Sequence, residues 1–186
     1  MGRISTYLHV SADGYFAGPG GDIAWFKQPE SDPEFEELSV ERAQRGGALL
    51  FGRTTYEMMA SAWPSDEARA EQPAIAEVMA SAPKIVFSTS LGGVEEGPHW
   101  RHVELRRGLD VEALRADERH FTTLGSGSLV RQLTELGAVD EYSFVVNPVL
   151  LGRGKNAFVG IDMAQLDLVE AQSFKNGLVW LNYHRR

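Results

Sequence analysis

Three short turns carry residue types suited to holding a phosphate. Gly125-Ser126-Gly127-Ser128 lies between the apolar run Phe121 to Leu124 and a helical stripe of Leu129, Val130, Leu133 and Leu136. A helix start has unpaired N–H groups and partial positive charge, and glycines let a phosphate approach that backbone. Gly52-Arg53-Thr54-Thr55-Tyr56-Glu57 follows Ala48-Leu49-Leu50-Phe51 and adds an arginine and two hydroxyls to a second helix start. Phe87-Ser88-Thr89-Ser90-Leu91 places hydroxyls after the strand-like run Lys84 to Ser88. Each turn alone also reads as ordinary turn chemistry, the second as a capping box between Thr54 and Glu57. Together, at the carboxyl ends of three apparent parallel strands, they read as a ligand site, because open α/β sheets bind ligands at that edge.

Two carboxylates come next. Asp13 begins Asp-Gly-Tyr-Phe-Ala-Gly, and Asp22 begins Asp-Ile-Ala-Trp-Phe, which ends in Trp25 and Phe26. A carboxyl beside large apolar groups can hold its proton near neutral pH and donate it. The plainer alternatives are an Asx turn at Asp13 and a solvated loop residue at Asp22. Histidines 9, 99, 102, 120 and 184 show no metal-ligand spacing and read as core or surface residues. No G-x-S-x-G elbow and no G-x-x-x-x-G-K-[ST] loop is present. The G-x-G-x-x-G fingerprint is also incomplete, since Val130 occupies the third glycine position.

The elements that must position these turns follow from periodicity and punctuation. Residues 3–10 alternate and read as a strand, followed by a turn at Ser11-Ala12-Asp13-Gly14 and a glycine-rich loop within 18–32. Asp32-Pro33 opens a helix that Gly46-Gly47 ends. Residues 48–51 are a strand, 54–62 and 74–82 are helices, and 84–88 and 101–105 are strands. A helix at about 111–117 and a strand at 121–124 precede the helix after Gly125. Glu141 to Val146 is a strand that Pro148 interrupts. Residues 166–174 and 178–184 flank Lys175-Asn176-Gly177, a strong hairpin signal. The pattern is repeated β-α-β closed by an antiparallel hairpin, hence an α/β sheet covered by helices.

Composition bounds the rest. The chain has 186 residues, 43% of them hydrophobic and 24% charged, which suits one globular domain over 1–186. Its net charge of −8 argues against a nucleic-acid partner, and no apolar run approaches the ~20 residues of a membrane span. The first residues contain no apolar signal core, and cysteine is absent, which excludes disulfides and thiolate metal sites and suits the cytoplasm.

In this order the motifs resemble the dihydrofolate reductase superfamily, nearest to the reductase domain of the bifunctional riboflavin-biosynthesis deaminase-reductase and its stand-alone relatives. The signposts are Ser11 to Ala17, Phe51 to Glu57, Lys84 to Thr89, Leu124 to Leu129 and Pro148 to Lys155. The resemblance implies a three-layer α/β/α fold with a mostly parallel sheet of about eight strands and a C-terminal antiparallel hairpin. It implies NADPH as hydride donor. Arg53 matches the position that approaches the 2′-phosphate, and Gly52, Thr54 and Thr55 match the helix start over the pyrophosphate. Ser88 and Thr89 match hydroxyls near the adenosine phosphate. Gly125, Ser126, Gly127, Ser128 and Leu129 match the glycine turn, while Phe16 and Ala17 match the loop beside the nicotinamide.

Asp22 matches a pterin-binding acid that would donate the proton, with Trp25 and Phe26 against the substrate. Ser128 departs from the family, whose folate reductases place a basic residue there, so a weaker preference for NADPH over NADH is expected. The implied activity is reduction of a small heterocycle, nearest to 5-amino-6-(5-phosphoribosylamino)uracil reduction. A dihydrofolate or pterin reductase, and a nucleotide-binding protein without turnover, are the alternatives. No metal is expected, and the deaminase half, which needs a cysteine-built zinc site, is not expected. A homodimer is expected from the resemblance and from the hairpin edge.

Overall fold

The computed structural model describes residues 1–27, 30–45 and 47–186. Its strands are β1 (Arg3–Ser11), β2 (Ala48–Gly52), β3 (Lys84–Phe87), β4 (Val103–Arg106), β5 (His120–Leu124), β6 (Glu141–Asn147), β7 (Leu166–Ser173) and β8 (Val179–Arg185). The helices are α1 (Pro33–Gln44), α2 (Arg53–Ala62), α3 (Asp66–Glu71), α4 (Pro73–Ser81), α5 (Val111–Ala116) and α6 (Gly127–Glu135). The strands form one sheet in the order β4-β3-β2-β5-β1-β6-β8-β7. The first six of that order are mutually parallel. β8 and β7 close the sheet antiparallel, as the hairpin signal requires.

Alternation along the strands divides the core. Ile4, Leu50, Ile85, Phe121 and Tyr142 face α5 and α6, burying Leu114, Leu129 and Leu133 against them. Residues of opposite parity along the same strands, Phe51, Val86 and Val145, face the other layer, where Leu38 of α1, Tyr56 of α2 and Met79 of α4 pack. The result is the three-layer α/β/α architecture that the resemblance implies. The hairpin belongs to this core, since Trp180 of β8 is 1% exposed and packs with Leu38 and Val145.

Four local readings change. The helix after β2 begins one residue earlier, with Gly52 as N-cap and no side-chain cap. The Thr54–Glu57 capping box does not form, because Glu57 instead pairs with Arg53 Nε at 2.9 Å. The extra helix α3 is capped by Ser65, whose hydroxyl accepts from Ala68 N–H; no apolar stripe marks this short segment in the sequence. Asp13 makes no Asx turn but spans two loops, as described below. Of the glycines expected to end α1, Gly46 lies outside the described residues, as do Gln28 and Pro29 of the glycine-rich loop. Gly47 has φ +104°, and a Cβ there would meet His120 O at 2.3 Å.

Candidate functional site

The three phosphate-friendly turns become neighbours, because β3, β2 and β5 are adjacent in the sheet. They are also bonded to one another. Ser126 Oγ accepts from Gly52 N–H at 3.1 Å, joining the starts of α2 and α6. Arg53 Nη1 donates to Ser90 Oγ at 3.1 Å, joining the start of α2 to the turn after β3. In that turn Ser88 Oγ accepts from the N–H groups of Ser90 and Leu91. Thr54 and Thr89 are exposed, and Thr55 packs its methyl 3.7 Å from where a Cβ on Gly125 would lie.

The helix starts differ in a way that matters for anions. Asp32, Ser65 and Asp110 cap α1, α3 and α5 by accepting backbone N–H bonds. At α2, α4 and α6 no side chain does so; α4 opens on Pro73, which has no N–H, whereas α2 and α6 leave first-turn donors available. The approach to α6 is left-handed at both Gly125 (φ +62°) and Ser126 (φ +54°). Glycine adopts this without penalty, whereas Ser126 is held there, 6% exposed, by its bond to Gly52. Leu129 is buried and its N–H turns back to Ser126 O, while Ser128 is exposed at the helix mouth.

Phe16 and Ala17 lie on the other side of the glycine turn. A Cβ on Gly127 would fall 2.2 Å from Phe16 Cζ, so glycine is required for the ring to rest on the helix start. Phe16 N–H donates to Lys155 O, and Lys155 N–H donates to Ala17 O. Gly154 allows this crossing, since a Cβ there would meet Ala17 O at 2.2 Å. Asp13 locks the same two loops: it accepts from Ser11 Oγ at 2.6 Å, Gly152 N–H at 2.7 Å and Leu151 N–H at 3.1 Å. The Ser11 hydroxyl, aided by those backbone donors, holds its carboxyl below the usual value, so Asp13 is a latch and keeps no proton to give.

On the face of β1 that looks toward α1, Tyr7 and His9 are only half-buried although β1 lies between β5 and β6. The partial exposure of these two residues marks a shallow cleft beside β1, flanked by aromatic rings. Phe26 stacks on His9 with centroids 4.9 Å apart, Trp25 meets Phe26 edge-on at 5.2 Å, and Phe35 meets His9 edge-on at 6.3 Å. The expected substrate residues Trp25 and Phe26 therefore stand in this wall. Asp22 is exposed; its Oδ1 accepts from Ala24 N–H at 2.9 Å, and its carbonyl accepts from Trp25 Nε1. Asp32, near the same wall, is buried. Burial alone would raise its pKa, yet backbone donors from Asn176, Phe35 and Glu34 hold it below the usual carboxylate value.

Three residues of the site went unread in the sequence. Arg107, after β4, donates to Ser88 O at 3.2 Å and Leu91 O at 2.6 Å, bringing a second guanidinium to the Arg53 turn. His9 and Asn147 sit together at the ends of β1 and β6, with Nδ1 of the imidazole 3.3 Å from the amide Nδ2. The polar row Ser5, Tyr7, His9 on one face of a central strand was a signal; Arg107 had none. Two clefts, of about 430 and 300 Å³, lie elsewhere, one at Arg3, Asp140 and Arg185 and one at Ala43, Val78 and Pro83. Neither contains a residue of the three turns. Among the described residues no group of three His, Asp or Glu side chains could hold a metal ion.

Known proteins share this fold. Residues 103–180 match the family model of the RibD C-terminal domain. The matched segment takes in β4, the glycine turn, Pro148 to Lys155 and the first part of β8; the signposts before residue 103 lie outside it. Bacillus subtilis YyaP is 24% identical over 184 residues, covering 98% of this chain and 94% of the relative. A Shewanella sp. PV-4 protein named for riboflavin biosynthesis superposes with a TM-score of 0.74 at 22% identity, covering 99% of each chain. Enterococcus faecalis dihydrofolate reductase, solved with NADP(H), gives 0.57 at 16% identity, covering 99% of this chain and 96% of the enzyme. The fold is dihydrofolate reductase-like.

Proposed function

We propose that this chain is an NADPH-dependent reductase of a small planar heterocycle, its nearest family activity being 5-amino-6-(5-phosphoribosylamino)uracil reduction. The observation that carries this reading is the pair of uncapped helix starts, α2 and α6, joined through Ser126 and flanked by Arg53 and Arg107. Two helix N-termini suit a pyrophosphate, and two guanidiniums beside the Ser88–Ser90 turn suit a further phosphate. The match to the RibD C-terminal domain and the fold shared with a reductase support it.

When bound, NADPH supplies a hydride. Gly52, Thr54 and Thr55 would receive the pyrophosphate with Gly125 to Leu129, and Arg53, Arg107, Ser88 and Thr89 would receive the adenosine phosphate. Phe16 and Ala17 would exclude water beside the nicotinamide, and Trp25 and Phe26 would hold the substrate ring. Asp22 is proposed as proton donor. Asp22→Asn should then lower turnover by about 10²–10⁴-fold with NADPH affinity kept; unchanged turnover removes Asp22 from the chemistry.

Calorimetric titration with NADPH and NADH tests the cofactor. Arg53→Ala and Arg107→Ala should each weaken NADPH about tenfold or more and leave NADH unmoved. Failure of both nucleotides to bind would overturn the reading. Pterin reduction is separated by assay with dihydropterin against the ribosylaminopyrimidine. We also propose a homodimer, since β7 is a sheet edge with Leu168 57% and Val169 53% exposed. A single species of monomer mass in sedimentation at micromolar concentration would exclude it there.

A further inference from the structure

The inner end of the aromatic cleft holds an unmet hydrogen-bond demand. Asn147 is 1% exposed, and its Nδ2 donates to Val145 O at 2.9 Å and Val10 O at 3.2 Å. Two carbonyls at the nitrogen fix the amide orientation, because turning it would set oxygen against oxygen. Its Oδ1 has no protein partner. A buried acceptor left unmet costs roughly 1–3 kcal/mol, so a donor supplied here by a ligand or an ordered water would be stabilising.

His9 completes the arrangement. The same Nδ2 lies 3.3 Å from His9 Nδ1, so three acceptors share its two hydrogens, an arrangement that favours an unprotonated, accepting Nδ1. The proton then sits on Nε2, which faces Tyr7 Oη at 3.3 Å. Burial holds the imidazole neutral, its pKa lowered to about 4. Both edges of His9 are occupied within the protein, and the available surface is its face, which Phe26 covers in a stack tilted by 29°. A planar ring could replace Phe26 on that face with an edge beside Asn147.

We propose that Asn147 and His9 determine substrate specificity, Asn147 Oδ1 accepting a hydrogen bond from a ring N–H of a planar nitrogen heterocycle that stacks on His9 and displaces Phe26 to its own outer side. The proposal rests on the reductase reading for the identity of the bound molecule as substrate. It assigns the selection of that substrate to a neutral, acceptor-bearing floor. A ring whose nitrogens are all alkylated leaves Oδ1 unmet and is rejected.

Fluorescence titration with lumazine and with 1,3-dimethyllumazine, whose ring N–H groups are capped, tests this on the whole protein. Lumazine should bind wild type at least tenfold more tightly, and Asn147→Leu should bring the two affinities together. Because Asn147→Leu also removes bonds to two strand carbonyls on which folding can depend, 1-methyl- and 3-methyllumazine provide a second measurement on wild type. These isomers are equal in bulk, and the one that caps the recognised N–H should bind as weakly as the dimethyl compound. Equal affinities for lumazine and its dimethyl derivative, equal affinities for the two isomers, or no binding of any of them overturns the proposal. So does discrimination that persists in folded Asn147→Leu, which would leave Oδ1 to an ordered water. NADPH titration of the same samples distinguishes the two readings. Lumazine discrimination without NADPH binding sinks the reductase and keeps the specificity floor; NADPH binding without discrimination does the reverse.

Discussion

His9 illustrates how one side chain reports the environment of the cleft. Burial lowers its pKa to about 4, against an ordinary value of 6.5. As pH falls below 6.5 the unfolded chain takes up this proton first, so stability is whole above 6.5 and declines toward pH 4. At pH 5 the loss from this group is about 2 kcal/mol. Burial also lowers the pKa of His120, which adds a loss of the same sign. In His9→Gln, the difference between urea-unfolding free energies at pH 7.5 and pH 5 should shrink by about 2 kcal/mol, the His120 part remaining. An unchanged difference would mean that folding leaves the His9 pKa where it is in the unfolded chain. At the glycine turn, Gly127→Ala should cost about 1–3 kcal/mol, because its Cβ would enter the Phe16 ring. Phe16→Leu in the same chain should recover part of that loss; a purely additive double mutant would show that the two do not meet.

At the scale of elements, most of the fold was legible because its signals were local. Alternation marked β1, the Leu129–Leu133 stripe marked α6, and Asn176-Gly177 marked the turn into β8. The phosphate turns were legible too, since each is a contiguous strand–turn–helix segment. What was not legible depends on strands far apart in sequence. Asn147 meets His9 only because β6 pairs with β1, and Arg107 reaches Ser88 only because β4 pairs with β3. The role of Asp13 was equally hidden, because its partners Leu151 and Gly152 lie in another loop. That latch predicts a local effect. Asp13→Ala should raise amide exchange at Leu151 and Gly152, and at the Phe16–Lys155 crossing beside them, while exchange in β5 stays slow. Uniform protection across both loops in the variant would show that Asp13 does not hold them.

Across the whole molecule, the C-terminal hairpin is what makes the middle of the sheet a middle. Without β8, β6 would become an edge, and β1 with its cleft would stand one strand from it. Phe174, Leu178 and Trp180 supply much of the cluster around Leu38 and Val145, and Arg42 of α1 lies 5.3 Å from the Trp180 ring while pairing with Glu170 of β7. The wall that carries Phe35 is therefore held from the hairpin side, and Asp32 at its start accepts from Asn176 N–H in the hairpin turn. Deletion of 166–186 should accordingly abolish a cooperative unfolding transition and not merely trim an edge. The single change Trp180→Ala, a fully buried aromatic, should cost about 3–5 kcal/mol. Because the loss falls on α1 and not on α2 or α6, Trp180→Ala that still folds should weaken lumazine binding more than NADPH binding. Equal weakening of both would mean that the two halves of the site respond as one unit and that the hairpin does not support the cleft selectively.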